Sequence, residues 1–206
     1  MKKIGFLLIS IVALAMAACG GGSVKIDPNL SPEEAEAVLK TEKSLPRGAI
    51  IESYEVVNAT LPLALLESEY KGLRDQAYKA RIDYRTNMTR GLQQVAQKNV
   101  ETLQNIQNTI VEKSASMESN SPKYIFVLAN VKEKERKDGN LSGFIAVFDP
   151  STVELVDLVQ VTTPLYNNAV MMTEALNGTL INPNQDLDNI SSSNTVVNFI
   201  LNASPK

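Results

Sequence analysis

The chain has 206 residues, of which 44% are hydrophobic and 21% charged, and its formal net charge is -3. This composition is typical of a folded domain and excludes a disordered or collagen-like chain. The chain has no His and a single Cys, which excludes Ser-His-Asp triads, HExxH zinc sites, CxxC redox centres and intrachain disulfides.

The N-terminal residues have the pattern of a secretory signal peptide. Lys2 and Lys3 form a short positive region, and residues 4–18 carry no charge. This run would be about 22 Å long as a helix, at ~1.5 Å per residue, whereas the hydrocarbon core of a bilayer is ~30 Å thick. The pattern therefore favours a signal peptide over residues 1–18 rather than a permanent transmembrane helix.

The only cysteine ends this region. Residues 14–19 read LAMAAC and resemble the lipobox of a bacterial lipoprotein precursor. The resemblance implies that Cys19 becomes the first residue of the mature chain, with a diacylated thiol and an acylated amino group that anchor it in a membrane. The alternatives are an ordinary signal peptide that leaves Cys19 as a thiol, or an uncleaved core helix.

The residues after Cys19 indicate which membrane receives the protein. In enterobacteria an Asp at the next position retains a lipoprotein in the inner membrane, and this chain has Gly20. The acidic cluster that resembles a surface-export signal in other Gram-negative phyla is missing from residues 20–25. The resemblance implies a cell-envelope protein anchored in the outer membrane, with its body on the periplasmic face. Surface exposure is the alternative.

The first part of the mature chain is predicted to be a flexible tether over residues 19–30, because it starts with three Gly and lacks apolar periodicity. Ser31 and Pro32, followed by two Glu, are typical of a helix start, which predicts a helix over 32–43. Residues 49–57 are rich in Ile, Val and Tyr and predict a strand.

Helical spacing then dominates the chain. From about residue 62 to residue 113, apolar positions recur every three or four residues, which predicts one very long helix or a helical hairpin that bends at residues 86–91. Strand patterns follow at 124–131, 141–148 and 153–161. Because turn-forming residues separate these strands, we expect an antiparallel meander.

These elements predict an α+β fold in the order β-α-β-β-β, with a domain over 31–176 and a polar C-terminal segment over 177–206 that contains a short helix. The strands are apolar on both faces, so one face should pack on the long helix. The other face needs a second cover, from 164–176, from 195–201 or from another subunit. The element order over about 49–162 resembles cystatin-like and NTF2-like architectures, which host many activities.

Few residues suggest catalysis. Ser68 and Lys71 form an SxxK pair, which chance also supplies, and glycosidase chemistry needs two acids at a fixed separation. The pairs of acids that lie two residues apart include Glu67/Glu69, Glu133/Glu135 and Asp186/Asp188. We interpret all of these as solvated surface groups, and we predict no catalytic residue and no cofactor.

One loop has the oxygen-bearing side chains of a calcium site at alternate positions: Asn182, Asn184, Asp186 and Asp188. The EF-hand pattern is incomplete, since Leu187 stands where that loop needs Gly and Ser193 where it needs Glu. A polar, Asn-rich turn is therefore the favoured interpretation, with calcium as the alternative.

The segment 91–111 combines an apolar seam with amide side chains and few charges. The seam consists of Leu92, Val95, Leu103, Ile106 and Ile110. A surface that is polar and nearly uncharged suits a protein partner, because amides cost less to desolvate than charges. The favoured interpretation is that the seam packs on the sheet and the amides face water.

The sequence as a whole predicts a lipid-anchored envelope protein that serves as a binding or structural module. Two alternatives remain: a small enzyme with an NTF2-like pocket that uses carboxylates, and an oligomeric assembly subunit. The predicted partners are the membrane through the lipid anchor, and a protein partner or a second copy of the chain. Residues 19–206 hold 18 basic and 23 acidic side chains, a net charge of -5, so nucleic acid is not a predicted partner.

Overall fold

The computed structural model describes residues 24–60, 68–120, 122–134, 139–182, 190–203 and 205. These residues form an α+β fold, as predicted. In chain order the elements are α1 (Pro32–Ser44), β1 (Ile50–Thr60), α2 (Ser68–Thr89), α3 (Gln93–Asn120), β2 (Lys123–Lys132), β3 (Ser142–Phe148), β4 (Leu155–Gln160), α4 (Thr163–Leu176) and α5 (Thr195–Asn202).

The four strands form one antiparallel sheet in the order β1-β2-β3-β4. Neighbouring strands pair in register, with Val127 of β2 opposite Val56 of β1 on one side and opposite Ala146 of β3 on the other. β1 and β2 are adjacent in the sheet although α2 and α3 lie between them in the sequence. The predicted meander of β2, β3 and β4 is confirmed.

The long helical pattern is a hairpin of two helices, which resolves the alternative left open by the sequence. Gly91 lies between α2 and α3 with φ 72°, a left-handed conformation that favours glycine. Its N–H donates to the Met88 carbonyl at 3.0 Å, and the Leu92 N–H donates to the Asn87 carbonyl at 2.9 Å. These bonds end α2, and the Leu92 carbonyl then accepts the first bonds of α3 from Val95 and Ala96.

The hairpin packs on one face of the sheet together with α4 and α5. Seam residues Leu103, Ile106 and Ile110 of α3 are buried in one apolar cluster with Phe126 and Leu128 of β2. The same cluster includes buried side chains of α4 and α5: Leu165, Ala169, Met171, Met172, Ala175, Val196, Val197 and Ile200. The packed body therefore continues past residue 176 to the C-terminal helix.

The opposite face of the sheet is covered by α1 and by residues 24–30, which corrects the expected second cover. Both segments proposed for that role, 164–176 and 195–201, lie on the hairpin face instead. Ala37 and Val38 of α1 are fully buried against this second face, and Val24 packs beside them. The physical reason is that α1 presents its apolar positions to strands that are apolar on both sides.

Residues 24–30, predicted to be part of the tether, are attached to the body. The Val24 N–H donates to Oε1 of Glu42 at 2.9 Å. The Tyr54 hydroxyl accepts from the Asp27 N–H at 2.8 Å and donates to the Lys25 carbonyl at 3.1 Å. Five peptide steps separate residue 19 from residue 24, so they span at most about 18 Å instead of the ~40 Å available to the eleven steps of a tether over 19–30.

Candidate functional site

A cleft of about 450 Å³ lies between α2 and α4. Its walls carry charged and aromatic side chains, and its floor includes the buried side chains of Ala77 and Met171. Arg74, Tyr78 and Arg81 come from α2 at spacings of four and three residues, so they share one side of that helix.

A buried ion pair closes one end of the cleft. Nη2 of Arg81 lies 2.8 Å from Oε1 of Glu174, and the exposed fractions of the two side chains are 17% and 2%. The same Nη2 donates to the Leu180 carbonyl at 3.3 Å. After α4 the chain turns back, and the Thr179 and Leu180 N–H groups donate to the Glu174 carbonyl. This turn places the Leu180 carbonyl, which accepts the hydrogen bond from Arg81.

The hydrogen-bonding capacity of Arg81 is only partly used. Its Nε atom is buried and has no hydrogen-bond partner in the described part of the chain. A buried donor without a partner is unfavourable by roughly 1–3 kcal/mol, so such atoms in native proteins usually have a reason, such as an absent water or ligand. The Arg81 side chain lines the cleft and is 17% exposed, so this exposed part of the guanidinium is a candidate for ligand contact.

The other end of the cleft is held by Arg74. Its Nη1 donates to the Pro164 carbonyl and to Oδ1 of Asn168, both at 3.2 Å, and these bonds join α2 to the start of α4. Its Nε and Nη2 donate to Oδ1 of Asp75 at 3.3 and 3.2 Å. Between the two arginines, Tyr78 is 69% exposed and presents its ring to the solvent.

The charges of the cleft balance: Arg74 and Arg81 face Asp75 and Glu174. A net-neutral site with hydrogen-bond donors, acceptors and one exposed ring suits a small polar ligand that is uncharged or zwitterionic. A ligand with a single net charge would be repelled by the cleft groups that carry the same charge. The phenol ring of Tyr78 offers a flat face for stacking.

The residues singled out from the sequence do not lie in this cleft. Lys71 is exposed on α2, and Glu133 accepts a hydrogen bond from Nε2 of Gln160 at 2.8 Å; neither lines the cleft. Of the four predicted calcium ligands, Asn182 lies within the described residues. The remaining positions, together with the side chains of Ser68 and Glu69, lie outside the described residues: Cys19, Glu67, Glu135, Asn184, Asp186 and Asp188.

The alternative of an NTF2-like enzyme needs a carboxylate-lined pocket where the hairpin meets the sheet. Among the described residues, that space is filled by buried apolar side chains, including Leu103, Ile110 and Phe126. Within the described ranges, no group of three or more His, Cys, Asp or Glu side chains could hold a metal ion. Four ionisable residues, Arg74, Asp75, Arg81 and Glu174, line the cleft between α2 and α4 instead.

The four- and three-residue spacing of Arg74, Tyr78 and Arg81 is visible in the sequence, but by itself it indicates only a shared helix face. Its meaning depends on Glu174, which is 93 residues from Arg81 along the chain. The apolar seam of α3 also divides: Leu103, Ile106 and Ile110 are core, as favoured, whereas Leu92 and Val95 are nearly half exposed.

Every helix in the described part of the chain is too short or too polar to cross a membrane. No protein-family model, curated protein or solved structure matches this chain. The cystatin-like or NTF2-like architecture therefore stays a prediction, and the function has to be argued from the chain's own residues.

Proposed function

We propose that this chain is a lipid-anchored binding protein of the bacterial cell envelope. The acylated Cys19 holds it in the membrane, and the cleft between α2 and α4 takes a small polar ligand. The observation that carries this proposal is the combination of the partly satisfied Arg81 with the exposed ring of Tyr78 in one charge-balanced cleft.

The anchor rests on the sequence. The only cysteine of the chain stands at the end of the LAMAAC segment, directly after an uncharged run with two Lys before it. Two acylation sites on one residue give stable membrane attachment, which a single chain does not. Gly20 supports outer-membrane delivery by the enterobacterial pattern, and the lack of an acidic cluster in residues 20–25 supports a body on the periplasmic face.

The ligand class follows from the cleft. Stacking on Tyr78 and hydrogen bonds from the exposed part of Arg81 suit a sugar ring or a short zwitterionic peptide, and both are components of the cell envelope. A catalytic role has less support, because the cleft has no nucleophile beside a base.

Calorimetric titration tests the binding site. N-acetylglucosamine oligomers and short zwitterionic peptides are titrated into the protein lacking residues 1–18, with Cys19→Ala. We expect saturable binding by one of the two classes, and a loss of tenfold or more in Tyr78→Ala, about 1.4 kcal/mol. Lys79→Ala, on the same helix but outside the cleft lining, is the matched control. Absence of heat with both classes, or equal losses in the two variants, contradicts the site.

Membrane fractionation tests the anchor separately. The chain expressed in a Gram-negative host with labelled palmitate should be membrane-bound and labelled, and Cys19→Ala should be unlabelled. A Cys19→Ala variant that still carries labelled acyl groups contradicts the lipobox.

A further inference from the structure

The end of the helical hairpin exposes apolar side chains. We define the hairpin tip as residues 84–100, which join the end of α2 to the start of α3. Met88, Leu92 and Val95 of the tip are exposed by 43%, 47% and 46%. Backbone bonds from the Gly91 N–H to the Met88 carbonyl and from the Val95 N–H to the Leu92 carbonyl hold the turn on which these three residues lie.

The tip is also positively charged in a chain that is negative overall. Residues 84–100 contain Arg85, Arg90 and Lys98, and the nearest acids along the chain are Asp83 and Glu101. Residues 19–206 carry 18 basic and 23 acidic side chains, a net charge of -5, so a tip of +3 leaves -8 on the other residues of that chain. Apolar side chains flanked by basic ones are the composition by which helices bind the surface of an anionic membrane.

The body is close to the membrane if the proposed anchor is correct. Val24 already packs on the sheet and donates to Glu42, so Cys19 lies within about 18 Å of that contact. A body held that close has part of its surface facing lipid headgroups. This step rests on the proposed function, whereas the exposure and charge of the tip do not.

We propose that the hairpin tip docks on an anionic lipid bilayer, with Met88, Leu92 and Val95 in the interface and Arg90 and Lys98 against the headgroups. A protein partner is less well matched. Protein interfaces are enriched in aromatic side chains, whereas the tip has a single one, Tyr84, at its first position and four residues before Met88. The convex end of a hairpin also suits entry into a soft surface, where long basic side chains extend to the headgroups.

The absence of Trp from the chain allows a direct test. The protein is residues 19–206 with Cys19→Ala, which keeps every buried cluster since these lie within 24–203. Leu92→Trp introduces the only indole, and Met88→Trp is a second reporter should the first fail to fold. With vesicles of equal parts phosphatidylglycerol and phosphatidylcholine, we expect a blue shift and quenching by brominated lipids; with phosphatidylcholine alone, much weaker changes.

Removing basic side chains then tests whether the tip, rather than the rest of the chain, binds the anionic membrane. Arg90→Gln with Lys98→Gln should lower partitioning about 25-fold, at roughly fivefold per basic residue near a charged membrane. Lys71→Gln with Lys79→Gln removes the same charge from exposed positions of α2 outside the tip and should change partitioning by less than about threefold. Equal losses in both pairs, or equal binding to neutral vesicles, overturn the proposal.

Two further outcomes also count against it: an indole that stays in water on anionic vesicles, and binding of the tip to an acidic protein without binding to vesicles. Because the tested protein has no acyl group, a failure here leaves the Cys19 anchor untouched. Conversely, a chain that proves not to be acylated leaves the vesicle result standing.

Discussion

The two halves of the α3 seam have the same sequence pattern and opposite environments. Leu103, Ile106 and Ile110 are at most 4% exposed, whereas Leu92 and Val95, at the same helical spacing, are nearly half exposed. The two halves differ in what packs against them. Leu103, Ile106 and Ile110 share one buried cluster with the sheet, α4 and α5, whereas the exposed side chains of the hairpin tip have no such neighbour in the described part of the chain.

This difference shows what a periodic pattern does and does not indicate. A period of three to four residues identifies the face of a helix that is apolar. It does not indicate whether the fold supplies a surface to cover that face along the whole helix. An apolar stripe that continues past the core becomes surface, and a surface of that kind is commonly used for contact with a membrane or a partner.

The largest expected effect contrasts the two halves directly. Ile110→Ala should lower the free energy of unfolding by about 2–5 kcal/mol, because it removes a fully buried side chain and leaves a cavity. Val95→Ala at the exposed half should change it by less than about 1 kcal/mol. Urea unfolding of both variants measures this. Similar losses would show that the tip is covered in solution.

The second effect concerns the link between the hairpin and α4. Arg81→Met should cost about 3 kcal/mol, since it leaves the Glu174 carboxylate buried without its partner. Arg81→Met with Glu174→Met should recover most of that loss, because no unpaired charge remains. Arg90→Met, at the exposed tip, is the control and should be nearly neutral. A double variant less stable than Arg81→Met would contradict this account of the pair.

The third effect tests the turn that joins the halves. Gly91→Ala should destabilise the protein by about 1 kcal/mol, because alanine disfavours the left-handed φ of 72°. Gly72→Ala, in α2 and equally free of nearby atoms, should instead stabilise by about 0.5–1 kcal/mol. Thermal unfolding compares the two. The same sign for both would mean that Gly91 is not held in this conformation.

The smallest effect concerns a second exposed turn, between β3 and β4, which side-chain bonds hold. The Ser151 hydroxyl donates to the Asp149 carboxylate, as do the Ser151 and Thr152 N–H groups, and these bonds lower the pKa of Asp149 below its ordinary value of 3.8. A lowered folded pKa adds stability that is complete above the ordinary value and is lost as the pH falls through the folded pKa.

The difference in melting temperature between the wild type and Asp149→Asn checks this sign. The wild type should melt higher than the variant at neutral pH, and the difference should shrink as the pH falls below the ordinary Asp value. Glu33, whose pKa is also lowered by hydrogen bonds to its own N–H and to Ser31, is present in both proteins and cancels. A difference that grows in acid would contradict the assignment.

Local signals predicted most of the fold. The Ser31 cap and Pro32 fixed the start of α1, and Gly91 lay within the predicted bend of the hairpin. The strands of the meander were predicted because each is bounded by turn-forming residues. These features depend on neighbours in the sequence, and so they are visible there.

What the sequence left open depends on contacts across the chain. Residues 24–30 follow a Gly run and were interpreted as tether, although Val24 packs against the sheet and bonds to Glu42. The cleft needs Arg81 to meet Glu174, 93 residues later, and no spacing rule connects them. The calcium candidate stays a prediction, since Asn184 and the two Asp residues after it are outside the described part of the chain.

The central claim is that this body is held at a membrane through Cys19. The intact mass of the chain, extracted from membranes of a Gram-negative host and compared with its sequence, tests that claim most directly. We predict a mature chain that starts at Cys19 and carries the added mass of a diacylglyceryl group and one further acyl chain. A chain that starts at another residue, or that has an unmodified thiol at Cys19, would contradict it.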